Sequence, residues 1–303
     1  MKGSGLRKTL TLAASAALAC LLLPPPAAAK LGKGDARKLI AALSVFELNS
    51  GAITIKEISS TDSEATVLAS VRAAFRFARG EGGRWRAVEA RVGDRQWEDF
   101  DLLAAAAGAE RINAARAALD SLAAELEERA RGRRRAAGEG DKDAPGDDAP
   151  LERGPVRVDK PAAALSALGS SAVLEAEVEA SFDFVRERGR WRVARARLGA
   201  ETVSDFDSPA RALDQAKSAR ARADLGALAS ALEAHRRERG FYVPVDTASA
   251  LNDHLSPRYL PAPVRFDPWH RSYEYQGARA GYLLRSLGPD GKPNTADDVT
   301  IRK

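Results

Sequence analysis

The chain has 303 residues, of which 45% are hydrophobic and 29% are charged, and its formal net charge is +5. This length allows about two or three domains, and the apolar content excludes a chain that is disordered throughout. Three of the excess positive charges lie in the first eight residues, so the remainder has a net charge of only +2. Such a small charge gives no reason to expect nucleic acid as a partner.

The N-terminal segment 1–29 is typical of a secretory signal peptide. Basic residues precede an apolar run at 9–23, and three alanines at 27–29 provide a small-residue cleavage site before Lys30. The run is shorter than the roughly 20 residues of a transmembrane helix. We therefore expect a periplasmic or secreted protein with no transmembrane span after cleavage.

The single cysteine, Cys20, lies within this apolar run and offers an alternative, a lipid anchor. The small-residue site that follows favours ordinary cleavage over lipidation. Ordinary cleavage would leave no cysteine in the exported chain. We then expect no disulfide, no thiolate nucleophile and no cysteine-bound metal.

A β-hairpin is predicted where residues 65–78 and 85–92 alternate in polarity around a glycine-rich turn. The same sequence pattern recurs further along the chain. Trp85 and Trp191 lie in matching Arg-Trp-Arg sequences, 106 positions apart, and Phe100 and Phe206 lie in Asp-Phe-Asp sequences with the same offset. The sequence therefore predicts a duplicated hairpin-and-helix unit, in which each tryptophan anchors the core of its hairpin.

The repeat divides the chain into five segments. These are the signal peptide 1–29, a first α+β repeat domain 30–132, a linker 133–160, a second repeat domain 161–221 and a C-terminal domain 222–303. The linker is rich in Gly, Pro and mixed charge, which predicts disorder. The second helix is predicted to be capped by Ser208 and to end at Gly240. It therefore ends the second unit and also begins the C-terminal domain.

The C-terminal segment carries several motifs in order. A helix exit at 239–244 is followed by the turn Asp267-Pro268-Trp269 and by a closing Ser-Leu-Gly-Pro-Asp-Gly sequence at 286–291. Alternating runs at 272–275 and 281–286 predict two strands joined by a loop at 276–279. Over residues 222–303 these motifs resemble the C-terminal domain of the major pseudopilin of type II secretion systems, the protein G family. The resemblance implies a non-enzymatic role and partners in the cell envelope or the secretion apparatus.

The closing loop is the candidate site. Its three carboxylates lie within nine residues, and neighbouring neutral oxygens complete a set of hard donors of the kind that calcium prefers. The spacing is not that of an EF-hand, and by itself it favours a solvated turn over a metal site. The resembled pseudopilins hold Ca²⁺ in this loop. The resemblance therefore implies a calcium site formed by Leu287, Asp290, Asn294, Thr295, Asp297 and Asp298.

The sequence thus predicts an α+β protein with two repeated β-hairpin/helix domains, followed by a pseudopilin-like helix and a small antiparallel sheet. Its histidines have no zinc-protease spacing, and no nucleophile elbow or phosphate-binding loop is present. We expect an exported, non-enzymatic binding or scaffold protein. The alternative is an envelope hydrolase or a small-ligand-binding protein that uses the duplicated domains. A pocket with paired acids and histidines would favour the hydrolase, and an apolar pocket would favour ligand binding.

Overall fold

The structure is a computed structural model that describes residues 30–43, 48–138, 150–153, 155–158 and 165–303. The expected signal peptide, with Cys20, lies outside the described residues. The helices are α1 (Lys33–Ala41), α2 (Phe100–Ala107), α3 (Ala109–Gly138), α4 (Asp207–Arg239) and α5 (Ala248–Leu255). In the ranges that the structure describes, none of these helices combines the length and the apolar character needed to cross a bilayer.

The strands form two antiparallel sheets, so the chain has the predicted α+β fold. The larger sheet contains β1 (Ile53–Ser60), β2 (Glu64–Arg79), β3 (Trp85–Val92), β4 (Glu98–Asp99), β5 (Leu151–Arg153), β6 (Val156–Val158), β7 (Leu165–Leu168), β8 (Ser171–Glu187), β9 (Arg190–Leu198) and β10 (Glu201–Val203). The smaller sheet has the order β11 (Glu274–Ala278), β12 (Gly281–Ser286) and β13 (Val299–Arg302).

Both predicted hairpins, β2–β3 and β8–β9, lie in the larger sheet. Their long strands β2 and β8 pair along almost their whole length, with Val71 opposite Val178. Along its other edge, β2 pairs with β1 and with β3. Along its other edge, β8 pairs with β6, β7 and β9. Val71 and Val178 are 107 positions apart, as are Phe75 and Phe182 of the two predicted copies. The strands are therefore arranged with approximate two-fold symmetry about this valine pair.

One face of the larger sheet is covered by different helices on its two halves. On the half that contains Phe75 and Phe77, buried leucines of α3 pack against the strands. On the half that contains Phe182 and Phe184, the cover is α1, through residues such as Ile40. Alternation on β2 explains the burial, because its odd-numbered side chains from 65 to 77 all point to this face.

Two details of this sheet differ from the sequence prediction. The pairing of β2 with β3 shifts between Arg76 and Phe77, a bulge that leaves Val88 extra and turns Ala90 to the core side. The segment 133–160, predicted as a disordered linker, contains the end of α3 and the strands β5 and β6. Within it, Leu151 and Val158 are buried apolar side chains, 4% and 1% exposed. Residues 139–149 lie outside the described ranges.

Helix α4 packs against the smaller sheet. Its leucines 225, 228 and 232 are fully buried with Tyr273, Tyr275 and Leu284. The helix starts at Asp207, so Ser208 lies in its first turn and is not the predicted cap; Asp205 Oδ1 accepts hydrogen bonds from the Asp207 and Ser208 amides, both at 3.0 Å. It ends before Gly240, whose φ of +84° is the left-handed conformation that stops a helix. One continuous helix therefore crosses the boundary drawn after residue 221.

The smaller sheet differs from the prediction in its first turn and in its number of strands. Residues 276–278 belong to β11 and pair with β12, so the hairpin turn lies at 279–280 and not at 276–279. Gly277 is needed in the strand, since a Cβ there would collide with the Val243 carbonyl and the Tyr275 ring. The third strand, β13, was not predicted; it pairs with β12 after the closing loop.

Candidate functional site

The turn at residues 267–270 is organised by the side chain of Asp267, which is only 3% exposed. Its Oδ1 accepts hydrogen bonds from the amides of Trp269, at 3.0 Å, and Arg271, at 2.9 Å. Its Oδ2 accepts the hydroxyl of Ser286 at 2.7 Å. A buried carboxylate with three donors is fully satisfied. The aspartate therefore joins this turn to β12, at the point where the closing loop begins.

The closing loop, residues 288–298, is held in place by the side chain of Arg271. Its guanidinium donates to the carbonyl of Gly288 and, at 3.0 Å, to that of Pro289. Two glycines permit close packing here, Gly288 against Asp297 and Gly291 against Arg271. Gly288 has a φ of +60°, and a Cβ on it would lie 2.7 Å from Asp297 Oδ2. Gly291 has a φ of +66°, and a Cβ on it would lie 2.7 Å from the Arg271 Cζ.

Five of the predicted calcium ligands lie in this loop and Leu287 lies just before it, and their oxygens bond mainly to the loop itself. Asp297 Oδ2 accepts the Asp290 amide at 3.1 Å, and Asp290 Oδ1 accepts the Lys292 amide at 2.8 Å and the Thr295 hydroxyl at 3.4 Å. The Leu287 carbonyl accepts the Gly291 amide at 3.2 Å. The hydrogen bond from the Asp290 amide holds the pKa of Asp297 below its usual value.

Asp298 is the carboxylate of the loop with an unsatisfied atom. Its side chain is 8% exposed, its Oδ2 accepts the Asn294 amide at 2.8 Å, and its Oδ1 is buried with no hydrogen-bond partner. Arg285 lies beside it, 3.6 Å from Oδ2, and donates to Asn294 Oδ1 at 3.1 Å. Part of the positive charge that the carboxylates need thus comes from the protein.

These observations bear on whether the loop fits a calcium ion. The donors are hard oxygens, as calcium requires, and Asp298 Oδ1 lacks a partner. However, no group of three His, Cys, Asp or Glu side chains in the described part of the chain is placed to hold a metal together. The donor chemistry and the unpaired oxygen fit a cation, whereas the positions of the three carboxylates would have to adjust to share one.

The C-terminal region contacts the first hairpin unit through α4 and the turn at 267–270. Trp269 Nε1 donates to Asp214 of α4 at 3.1 Å, and His270 Nε2 lies 2.6 Å from the carbonyl oxygen of Trp97, just before β4. His270 has a φ of +65°, so the turn forms although a histidine stands where the resembled family usually has glycine. Lys217 of α4 completes the junction with an ion pair to Glu98, at 2.6 Å.

A second feature is an apolar cleft of about 350 Å³ beside α3 on the larger sheet. Its floor includes Val71 and Val178, and its walls include Ala115 and Ala118 of α3 and Leu198 at the end of β9. Arg91 is the one charged residue among those that line it, and the Arg91 guanidinium lies 4.8 Å from the centre of the Trp97 ring. The sequence prediction missed this cleft, because short alanine-rich stretches do not show which faces will leave space.

A helix packed on a three-stranded antiparallel sheet, with a buried Asp-Pro-Trp turn and a closing loop, defines the C-terminal region as a pseudopilin-like module. Residues 210–303 match the family model described as "Type II secretion system (T2SS), protein G". The resemblance predicted for residues 222–303 is therefore confirmed, and the match begins earlier, inside α4. A search of curated proteins and a search of solved structures found no match.

The sequence analysis found the acidic residues of the loop but missed the two arginines that hold it. Arg271 follows the Asp-Pro-Trp turn, and Arg285 lies in β12 with a side chain that is 14% exposed. Arg285 also pairs with Glu274 across the hairpin, at 2.5 Å. Arg285 lies on the face of β12 opposite to the buried Leu284 and Ser286, and the available signal was its charge complement Glu274, which lies directly across the predicted hairpin.

Proposed function

We propose that this chain is an exported, non-enzymatic binding or scaffold protein that works with a type II secretion apparatus. The observation that carries the proposal is the match of residues 210–303 to the protein G family, with the Asp-Pro-Trp turn and the closing loop both formed. Pseudopilin-like modules act through contacts with other envelope proteins and not through catalysis. The N-terminal signal sequence supports delivery to the same compartment.

The junction between the C-terminal region and the first hairpin unit indicates where a partner would bind. Phe266 is 61% exposed and borders a cleft that also includes Trp97 and Pro268. Phe266 and Leu198 are the two large apolar side chains that stand exposed among the described residues. An exposed aromatic beside a structured turn is a common anchor in protein interfaces.

A site-specific cross-linking experiment tests this proposal. A photoreactive amino acid replaces Phe266 in the full chain, and the matched control replaces Asp62, an exposed residue in the turn between β1 and β2. We expect cross-links from position 266, and not from 62, to components of the secretion apparatus. Cross-links that are unchanged when the secretion genes are deleted would contradict the proposal.

We also propose that the closing loop binds Ca²⁺ in this protein. The support is the set of oxygen donors together with the buried, unpaired Oδ1 of Asp298. Calcium that binds only the folded loop would stabilise it by about 2.7 kcal/mol at a hundredfold excess over Kd. Magnesium would substitute poorly, because it requires a tight octahedral shell and releases its waters reluctantly.

Hydrogen exchange of the loop amides in the full chain measures this effect. Calcium should slow exchange in residues 288–298 and leave β2 and β8 unchanged. Asp290→Ala and Asp297→Ala should each abolish the response, whereas Asp62→Ala should retain it. Equal exchange in calcium and in chelator would show that the loop is a solvated turn that needs no metal.

A second candidate function is the binding of a small ligand by the larger sheet. The observation that favours it is the apolar cleft, which lies outside the segment that matches the secretion family. Its volume falls within the usual range of ligand sites. Since its lining is apolar, the cleft supports binding and not the hydrolase that was the other alternative.

A further inference from the structure

We propose that the apolar cleft binds an amphiphile with one aliphatic chain and an anionic head group, and that Arg111 holds the head group. This inference rests on the second candidate function and names its ligand class. The lining consists of Val, Ala, Leu, Phe and Pro side chains apart from Arg91. A buried ligand part that carried hydrogen-bonding groups would find no partners on such walls.

The size and shape of the cleft select a single chain. Its floor is formed by the paired strands β2 and β8, and its walls come from α3, from Pro155 and Val156, and from Leu198. A space of about 350 Å³ between these walls admits a small molecule and excludes a folded partner. The cleft is open at its mouth, so its apolar walls are exposed to water. An aliphatic occupant would remove this apolar surface from water, which is favourable.

Alanines keep the cleft open. Ala73, Ala90 and Ala180 lie on the sheet side, and Ala115 and Ala118 lie on the α3 side, where both are exposed. A larger side chain at position 118 would fill the space without disturbing a buried position. This makes Ala118 a suitable place to block the cleft.

An exposed ion pair joins the two elements that carry the walls, and we place the mouth of the cleft beside it from the positions of its residues along the chain. Arg111 lies one helical turn before Ala115, on the same side of α3 as Ala115 and Ala118. Its guanidinium is 3.2 Å from Glu201 of β10, three residues after Leu198. The side chains of Arg111 and Glu201 are 63% and 54% exposed, so the pair is solvated and weak.

The choice of an anionic head group follows from the charge of the lining, whose one charged residue, Arg91, is positive, and the exposed pair supplies a second cation. An anion that enters the mouth replaces Glu201 as the partner of Arg111, and the exchange costs little because the original pair is solvated. The aliphatic chain then supplies most of the affinity through burial in the cleft. Glu201 thus competes with the ligand, which gives the two residues opposite effects on binding.

Calorimetric titration of the full chain with decanoate and with decanol tests the proposal. We expect both probes to bind the natural protein. Ala118→Phe should weaken both by at least about tenfold, and Ala117→Phe should weaken neither. Ala117 is exposed and lies roughly 200° around α3 from Ala115. Arg111→Ala should weaken decanoate by about fivefold and leave decanol unchanged, whereas Glu201→Gln should strengthen decanoate binding.

Two results would overturn the inference, and they differ in what else they affect. If neither probe binds the natural protein, the cleft is not a ligand site, and the second candidate function fails with it. If Ala118→Phe blocks both probes while Arg111→Ala and Glu201→Gln leave decanoate binding unchanged, the anionic head group is wrong and the ligand-binding function stands. Circular dichroism of all four variants confirms that each retains the fold before its binding is compared.

Discussion

The two hairpin units have matching sequences, but their helices pack in different places. In the first unit, α3 lies over its own hairpin, and Leu122 and Leu126 are buried against Phe77 and Trp85. In the second unit, the matching residues Leu228 and Leu232 of α4 lie in the core of the C-terminal module. The half of the sheet that α4 leaves is covered by α1 instead. The same spacing of leucines therefore predicts that one side of each helix is buried, but it does not predict which part of the protein buries it.

Ion pairs at equivalent positions extend this comparison. Arg111 of α3 and Lys217 of α4 are 106 positions apart, and each pairs with a short strand of the other unit, Arg111 with Glu201 and Lys217 with Glu98. The Arg111 pair is exposed, whereas the Lys217 side chain is 7% exposed and its partner 21%. The ion pair of α4 is thus part of a buried junction, whereas the ion pair of α3 is a solvated surface contact.

The largest expected difference is between the two tryptophans. Trp85 is 4% exposed, so Trp85→Ala should lower the free energy of unfolding by about 3–5 kcal/mol. Trp191 is half-buried at the edge of its cluster, and Trp191→Ala should cost about 1–2 kcal/mol. Urea unfolding of both variants measures the contrast. Equal losses would mean that the two units have equivalent cores.

Substitution of Leu122 or of Leu228 by alanine should lower the free energy of unfolding by similar amounts, but each should loosen a different region. Leu122→Ala and Leu228→Ala each remove a fully buried side chain, and each should destabilise by about 3 kcal/mol. Hydrogen exchange locates the loss. Faster exchange should appear in β2 and β3 for Leu122→Ala, and in β12 and β13 for Leu228→Ala. The comparison fails if Leu228→Ala loosens β8 and β9 instead.

The ion pairs of Lys217 and Arg111 should differ in how much each contributes to stability. Lys217→Ala leaves Glu98 partly buried without its cation and should cost about 2 kcal/mol. Arg111→Ala breaks a solvated pair and should cost less than about 1 kcal/mol. The free energies of unfolding of the two variants decide the matter. The double variant Lys217→Met with Glu98→Gln should recover most of the loss, and a double variant as unstable as Lys217→Ala would refute the role of the pair.

The smallest expected effect is a pH dependence in the first unit. A hydrogen bond from Arg116, at 2.7 Å, holds the pKa of Asp101 below its ordinary value of 3.8. A lowered pKa contributes stability above pH 3.8 that is lost as the pH falls through the folded value. Asp101→Asn should therefore cost about 0.5 kcal/mol at neutral pH and nothing near pH 2, since the carboxylate is exposed. A cost that is the same at both pH values would exclude the ion pair as its cause.

The sequence predicted those features that depend on local periodicity and turn chemistry. The hairpin strands, the end of α4 at Gly240 and the turn-rich loop after Ser286 were all found, because alternation, a left-handed glycine and Gly-Pro-Asp turns are local signals. The bulge at Val88, the strand β13 and the strands inside 150–158 were missed. Each of these depends on how a strand pairs with its neighbour, which the pattern of side chains along one strand does not show.

The candidate site could be predicted only in its acidic half. Carboxylates within nine residues are visible in one stretch of sequence, and the family motifs located them. Arg271 and Arg285 reach the loop from other elements, so their roles depend on how the turn at 267–270 and β12 are packed. The apolar cleft depends in the same way on the placement of α3 over the paired strands β2 and β8.

Secretion by cells that lack this chain tests the central claim most directly. In the organism that encodes the protein, the gene is deleted, and proteins that leave by the type II pathway are quantified in the medium and in the periplasm. We predict that they accumulate in the periplasm, that general export is unchanged, and that the full chain restores their release. Unchanged release from the deletion strain would contradict a role in this secretion apparatus.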